Sequence, residues 1–204
     1  MNIYEDKYKC MGYKDIIGID EVGRGPLAGP AVVAGVELNQ VIFGLKDSKK
    51  LSRKKISELS EKILQKPNKV IIKEVSVKMI EDIGIKKAVV LTMEEIIEEF
   101  SPQVALVDFE KVSVDCISES ITKGDTKSNS IAAASIVAKK YRDDLMIKLA
   151  KDHPGYDFEN NVGYGTKKHM DALDKYGIIK NIHRKNFKPI ADRLLGDKWN
   201  YWKL

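Results

Sequence analysis

Residues 16–30 read IIGIDEVGRGPLAGP, and this stretch constrains the chain more than any other. Four of its first five positions suit a short buried strand, which ends on the adjacent acids Asp20 and Glu21 and runs at once into a glycine-rich turn. An apolar core gains nothing from a carboxylate at the end of a buried strand, and a buried carboxylate needs a partner or a cation. An extended backbone points one of the two acids each way. Oxygen-only ligands at a site open to water suit Mg²⁺ or Mn²⁺, which keep several waters and accept one or two carboxylates together with phosphate oxygens. Gly23 to Ala28 also fits the G-x-G-x-x-A pattern of dinucleotide binding. Against that reading, Asp20 and Glu21 would repel a pyrophosphate, and Pro26 removes a backbone donor from the loop. The next apolar run, Ala31 to Leu38, looks like a strand returning antiparallel instead of a crossover helix.

Two further acids stand at comparable places. Val104 to Val107 is a short apolar strand that delivers Asp108 at its end, and Asp125 lies in KGDTKSNS just before a helix. Taken singly, each acid also reads as a turn or helix cap. Taken together, carboxylates delivered from separate strand ends can converge on a cation.

The remaining pattern predicts a third strand at Val70 to Val77 and helices at Ser52 to Gln65, Val89 to Phe100 and Thr166 to Tyr176. A long helix follows Ser128 or Ser130 and stops at His153-Pro154, and a last one covers Ile190 to Leu195. The very small residues Ala132 to Ser135 would let that long helix lie close against a sheet. Strands first, then alternating helices and strands, then helices alone, indicate an α/β fold with a helical C-terminal extension. The expected organisation is one domain over residues 1–204, with a basic helical segment from about residue 155.

The net charge of +5 is too small to imply a nucleic-acid partner by itself, but its placement is uneven. Tyr164 to Lys198 holds nine Lys or Arg against four Asp, and Lys46, Lys49, Lys50, Arg53, Lys54 and Lys55 form a second basic cluster. Cys10 and Cys116 cannot form a disulfide framework, and His153, His169 and His183 show no zinc or nucleophile-triad spacing. Free thiols fit a reducing compartment, so the expected location is the cytoplasm, with no membrane span.

In order, GIDEVGRGPLAGP, DSKKLS (47–52), SIAAASIVAKKYRD (130–143), GYGT (163–166) and HRKNFKP (183–189) closely resemble the type 2 ribonuclease H family, bacterial ribonuclease HII branch. The resemblance implies a ribonuclease H-like mixed sheet flanked by helices. It also implies an endonuclease that hydrolyses RNA paired to DNA and incises 5′ of ribonucleotides embedded in duplex DNA, leaving a 5′-phosphate and a 3′-hydroxyl. Asp20, Glu21, Asp108 and Asp125 match the family's catalytic acids, which hold two Mg²⁺ or Mn²⁺ ions. Gly23, Arg24 and Gly25 match the GRG motif that meets the ribonucleotide's 2′-hydroxyl, and Tyr164 matches the tyrosine that packs on the following sugar. Ser48, Lys49, Thr166 and Arg184, within the matched motifs, and Lys46, just before DSKKLS, are expected as further substrate contacts. The implied partner is an RNA–DNA hybrid or a ribonucleotide-containing duplex, with no obligate protein partner. The chain departs from the family at Phe109, where Gly often follows the third acid, and at Asn186, where Ser is frequent.

Overall fold

The computed structural model of the chain describes residues 2–45 and 51–195. These fall into two compact units, one of Met1–Val22, Val32–Glu74 and Val89–Tyr141, the other of Gly23–Ala31, Val75–Ala88 and Arg142–Leu204.

The first unit is built on a five-stranded sheet. Its strands are β1 (Ile16–Val22), β2 (Ala31–Glu37), β3 (Lys69–Val75), β4 (Val104–Asp108) and β5 (Ile117–Ile121), in the order β3-β2-β1-β4-β5. β2 returns antiparallel on β1, with Asp20 opposite Ala34, as the sequence predicts. β4 pairs parallel with β1, Ile19 beside Val107, and β5 pairs parallel with β4. The sheet is therefore mixed.

Two glycines show why helices lie so close to it. Alternation along a strand sends Gly18 to one face and Ile19, with its partner Gly35, to the other. A Cβ on Gly18 would overlap the backbone of Ser130 and Ile131, in helix α5 (Asn129–Asp152). A Cβ on Gly35 would collide with Ile96 and Phe100 of helix α4 (Ile85–Phe100). α5 thus meets one face with its backbone and α4 meets the other with side chains, and the Ala132–Ala134 run is fully buried.

Local chemistry sets the helix ends. Ser52 accepts from Lys55 N at 3.3 Å and caps α2 (Arg53–Ile63). At α5 the cap is Ser128, whose hydroxyl accepts from Ile131 N at 3.1 Å. Ser128 in turn donates at 2.6 Å to Glu5 of α1 (Ile3–Cys10), and Ser130 N donates to the same carboxylate oxygen at 2.9 Å. A carboxylate at a helix N-terminus also meets the positive end of the dipole.

The second unit contains α3 (Val77–Ile83), the later turns of α5, α6 (Phe158–Asn161), α7 (Lys167–Tyr176) and α8 (Lys188–Leu195). The helical segment expected from about residue 155 thus groups from Arg142 onward, with two earlier stretches of chain. Its core joins Leu27, Ala28, Met146, Phe158, Leu173 and Ile190, and the rings of Tyr156 and Phe158 stack at 5.3 Å. Burying a Phe158-sized side chain is worth about 1.5–3 kcal/mol.

Candidate active site

The expected site residues divide between the units. Asp20, Glu21, Asp108 and Asp125 belong to the first, while Gly23, Arg24, Gly25, Tyr164, Thr166 and Arg184 belong to the second. Lys46, Ser48 and Lys49 lie outside the described residues.

In the first unit, Asp20 and Glu21 sit near the C-terminal end of β1, and Asp108 is the last residue of β4. Parallel pairing of Ile19 with Val107 makes Asp20 and Asp108 the next rung, so both point to the α5 face. Asp20 is only 6% exposed. Its Oδ1 accepts from Glu21 N at 2.7 Å, and the Ser135 hydroxyl of α5 bonds the same carboxyl. Burial first, then repulsion from Glu21 and Asp108, pushes the Asp20 carboxyl well above the usual carboxylate range. Asp125 lies in a 3₁₀ turn, Gly124–Thr126, which is tied to β4 because Gly124 N donates to Asp108 Oδ1 at 2.7 Å. Asp125 is itself 5% exposed.

The three acids of β1 and β4 therefore share one sheet end, with the fourth one residue beyond the Asp108 contact. Among the described residues, no group of three or more His, Cys, Asp or Glu side chains is already gathered so that it could hold a metal ion as it stands. The donor set nonetheless fits a hard divalent cation: every donor is oxygen, and the charge crowding that raises Asp20 is what such a cation relieves. Mg²⁺ demands few protein ligands, since waters and phosphate oxygens complete its shell.

In the second unit, the glycine-rich turn is held by two buried arginines. Gly23 has φ +97°, a conformation that favours glycine, and a Cβ there would strike the Arg142 guanidinium. Arg142, 1% exposed, donates through Nε to Pro30 O at 2.9 Å and through Nη2 to Ala28 O at 3.3 Å. Arg184 is fully buried and donates to Gly29 O at 2.9 Å, Arg24 O at 3.0 Å and Gly23 O at 2.7 Å. A buried guanidinium engaged with three carbonyls shapes the turn and does not present itself to substrate, so Arg184 stands differently from the expectation that it contacts nucleic acid. Thr166 likewise caps α7, accepting from His169 N at 3.4 Å. Tyr164 is 47% exposed, and its ring lies 3.6 Å from where a Cβ on Gly25 would stand.

Tyr164 is anchored from beneath by a histidine relay that sequence reading did not find. Ile179 N donates to His183 Nδ1 at 2.8 Å, the two Nε2 atoms of His183 and His169 are 3.1 Å apart, and His169 Nδ1 is 2.9 Å from Tyr164 O. A backbone donor at one end and a carbonyl at the other assign the tautomers: His183 donates from Nε2, and His169 donates from Nδ1 to Tyr164 O. Both rings are fully buried. Burial first, then the neighbouring His169, lowers His183 to about 3. A histidine that stays neutral in the fold but takes a proton near 6.5 when unfolded stabilises the protein above pH 6.5, and that stability drains away as pH falls toward 3. Urea midpoints between pH 7 and 4 should therefore fall by the equivalent of about 1.4 kcal/mol per pH unit from this group. His183→Gln should flatten that slope; an unchanged slope means the relay does not titrate on unfolding.

The dinucleotide reading of the glycine turn finds no support, since the chain after it returns as antiparallel β2 and opens no helix. Among the described residues no helix is long and apolar enough to cross a membrane.

Residues 17–190 match the family model for ribonuclease HII. The chain belongs to the ribonuclease HII family. Ribonuclease HII of Staphylococcus saprophyticus is 49% identical over 179 residues, spanning 86% of this chain and 70% of the relative. That of Leuconostoc mesenteroides is 44% identical over 194 residues, spanning 93% of this chain and 76% of the relative. Among solved structures, ribonuclease HII in its complex with PCNA from Archaeoglobus fulgidus superposes with a TM-score of 0.71 at 28% identity, covering 83% of this chain and 92% of the other. The mixed sheet with helices on both faces is thus the ribonuclease H-like fold the sequence resemblance implies. As a ribonuclease HII, the chain is a metal-dependent endonuclease directed at the RNA of RNA–DNA hybrids.

Proposed function

We propose that this chain also incises duplex DNA 5′ of an embedded ribonucleotide, hydrolysing the O3′–P bond to leave a 5′-phosphate and a 3′-hydroxyl. The observation that carries the reading is the buried Asp20 carboxyl crowded by Glu21 and Asp108 at the C-terminal ends of two parallel strands. Ligands of open α/β sheets bind outside those strand ends. Asp20, Glu21, Asp108 and Asp125 would hold Mg²⁺ or Mn²⁺, and two such ions, when bound, supply an acidified water and stabilise charge on the departing oxygen.

The protein's own groups do the rest. Ser135 and Glu21 N fix the Asp20 carboxyl, and Gly124 N fixes Asp108, so these acids are oriented before substrate arrives. The turn at Gly23–Gly25, bare of side-chain bulk at both glycines, gives its backbone close approach to a ribose. Discrimination must act on the 2′-hydroxyl, the group that separates RNA from DNA. Tyr164 offers a half-exposed ring beside Gly25 that suits a sugar face. The reading places the enzyme in the cytoplasm, where such duplexes occur in a bacterial cell.

The test is a duplex holding one ribonucleotide, incubated with protein stripped by EDTA and then resupplied with Mg²⁺ or Mn²⁺. Cutting should be absent in EDTA, return with either ion, and fall 5′ of the ribonucleotide. Cutting that persists in EDTA, or that proceeds equally on an all-DNA duplex, overturns the proposal.

A further inference from the structure

His169 and His183 lie in an apolar cluster that leucine or phenylalanine could fill. The His169 ring is edge-on to Phe158 with centroids 5.3 Å apart, and the His183 ring is 5.4 Å from Tyr156. Burying ring nitrogens there carries a desolvation cost that an apolar pair would not. What an apolar pair cannot supply is direction. The relay runs from Ile179 N through both rings and ends on one atom, the carbonyl oxygen of Tyr164, 2.9 Å from His169 Nδ1.

That carbonyl belongs to a loop joined by backbone to the glycine-rich turn. Gly163 O accepts from Leu27 N at 2.8 Å and from Ala28 N at 3.3 Å, and a Cβ on Gly163 would strike Ala28 O. The turn is tied in the other direction to the relay: Ala28 bridges to His183, and Arg184 N donates to Leu27 O at 2.8 Å. The chain enters the loop through Val162 at φ +44°, a left-handed backbone that β-branched residues rarely adopt. Asn161 pins it, its Oδ1 accepting from Gly163 N at 2.8 Å and its Nδ2 donating to Tyr156 O at 2.7 Å. The contacts close a circuit from the turn through Gly163 to Tyr164 and back through the two histidines. Within it the half-exposed Tyr164 ring faces Gly25, 3.6 Å from where a Cβ there would stand. The bonds of Tyr164 N to Asn161 O at 2.9 Å and of Thr166 N to Tyr164 O at 2.8 Å are local; the bond from His169 roots the tyrosine in α7.

We propose that His169 is a positioning residue for sugar recognition: oriented by His183, it holds the Tyr164 carbonyl so that the tyrosine ring is set beside the glycine-rich turn. The proposal rests on the reading of Tyr164 as the ring that packs on a sugar of the bound duplex. His169 is fully buried and touches no substrate, so its effect on the reaction passes through Tyr164.

Two amide variants of the full-length chain, assayed at a temperature where each is folded, separate this role from packing. Asn carries its amide nitrogen two bonds beyond Cβ, in the place of His Nδ1, and donates to Tyr164 O. Gln carries its amide three bonds beyond Cβ, in the place of Nε2, where it accepts from His183 but leaves Tyr164 O. His169→Asn should melt lower than H169Q, because the buried His183 Nε2–H loses its acceptor, yet keep KM on a single-ribonucleotide duplex within about twofold of wild type. His169→Gln should melt higher than H169N yet raise KM about tenfold, the scale of part of one ring's burial, with kcat moving much less. A purely structural role gives the reverse order, with KM following melting. Tyr164→Ala should itself raise KM about tenfold, and adding H169Q to it should change nothing further. If H169Q leaves KM at the wild-type value, or raises it equally in both backgrounds, or if KM tracks melting across the two amides, the positioning role falls and the sugar reading of Tyr164 stands. If Y164A leaves KM unchanged, the sugar reading falls, and the positioning role with it.

Discussion

Asp20→Asn should lose at least about 10³-fold in cleavage rate, an increase of about 4 kcal/mol in the barrier, while melting no lower than wild type. The two outcomes have one cause. Asp20 is buried at the end of β1 beside Glu21 and Asp108, and its ionised form suffers both burial and like-charge repulsion. Asn keeps the shape and an acceptor oxygen for Glu21 N, but it carries no charge. The folded protein is thus relieved of that repulsion. The check pairs a cleavage assay in Mg²⁺ with melting and duplex binding in EDTA. Full cleavage by D20N would remove Asp20 from the catalytic machinery. Intact binding with lost cleavage separates catalysis from recognition, because holding phosphate needs no acid cluster.

Asp20 and Asp108 were legible in sequence because each interrupts an apolar run, Asp20 ending IIGI and Asp108 ending VALV, whereas Asp125 was marked only by its place before a capped helix. β1, β2 and β4 and helices α2, α5 and α7 announced themselves through local apolar runs and caps. What stayed hidden depends on distant partners. β5 reads ISESI, an edge strand that among the described residues pairs with β4 alone, and its exposed serines and half-buried Glu119 carry no apolar alternation. α1 looks like a polar terminus until Tyr8 Oη donates to Glu119 at 2.7 Å and Glu5 meets Ser128, both more than a hundred residues away. α3 is a short helix that begins where the third strand was expected to end, at Val77, and Ser76 caps it by accepting from Met79 N at 3.1 Å.

The site shows the same division. Nothing local marks Arg142, yet it is spent on the carbonyls of Ala28 and Pro30, the latter 112 residues earlier. Arg184 lies in a motif that resembles a substrate-binding one, and only its burial reveals a scaffold. The histidines show no ligand or triad spacing, and 14 residues of separation gave no hint that His169 and His183 would face one another. Sequence exposes groups whose chemistry is local and conceals those whose value is a contact with backbone far along the chain.

Arg184→Ala should produce the largest loss of stability of any single change considered, about 3–5 kcal/mol. Its guanidinium donates to three carbonyls of the glycine-rich turn, those of Gly23, Arg24 and Gly29, and lies 5.1 Å from the Phe187 ring centroid. Alanine leaves those acceptors facing a void, where unmade hydrogen bonds carry their full desolvation penalty. Burial first, with Arg142 close by, pulls Arg184 down to about 9, so the residue remains charged at neutral pH and its charge is spread over carbonyl dipoles. Arg184→Lys should recover only part of the loss, because an ammonium cannot reproduce a planar fork that reaches three acceptors at once. Against a typical domain stability of about 5–15 kcal/mol, R184A removes about a fifth or more, so urea unfolding at 25 °C should shift visibly. At temperatures where R184A is still folded, its cleavage of a ribonucleotide-containing duplex should fall further than the lost folded fraction accounts for, since the turn that approaches the ribose has lost its brace. R184A that unfolds with wild type would mean that Arg142 alone sets the turn, and the shape of Gly23–Gly25 would then owe nothing to the second arginine.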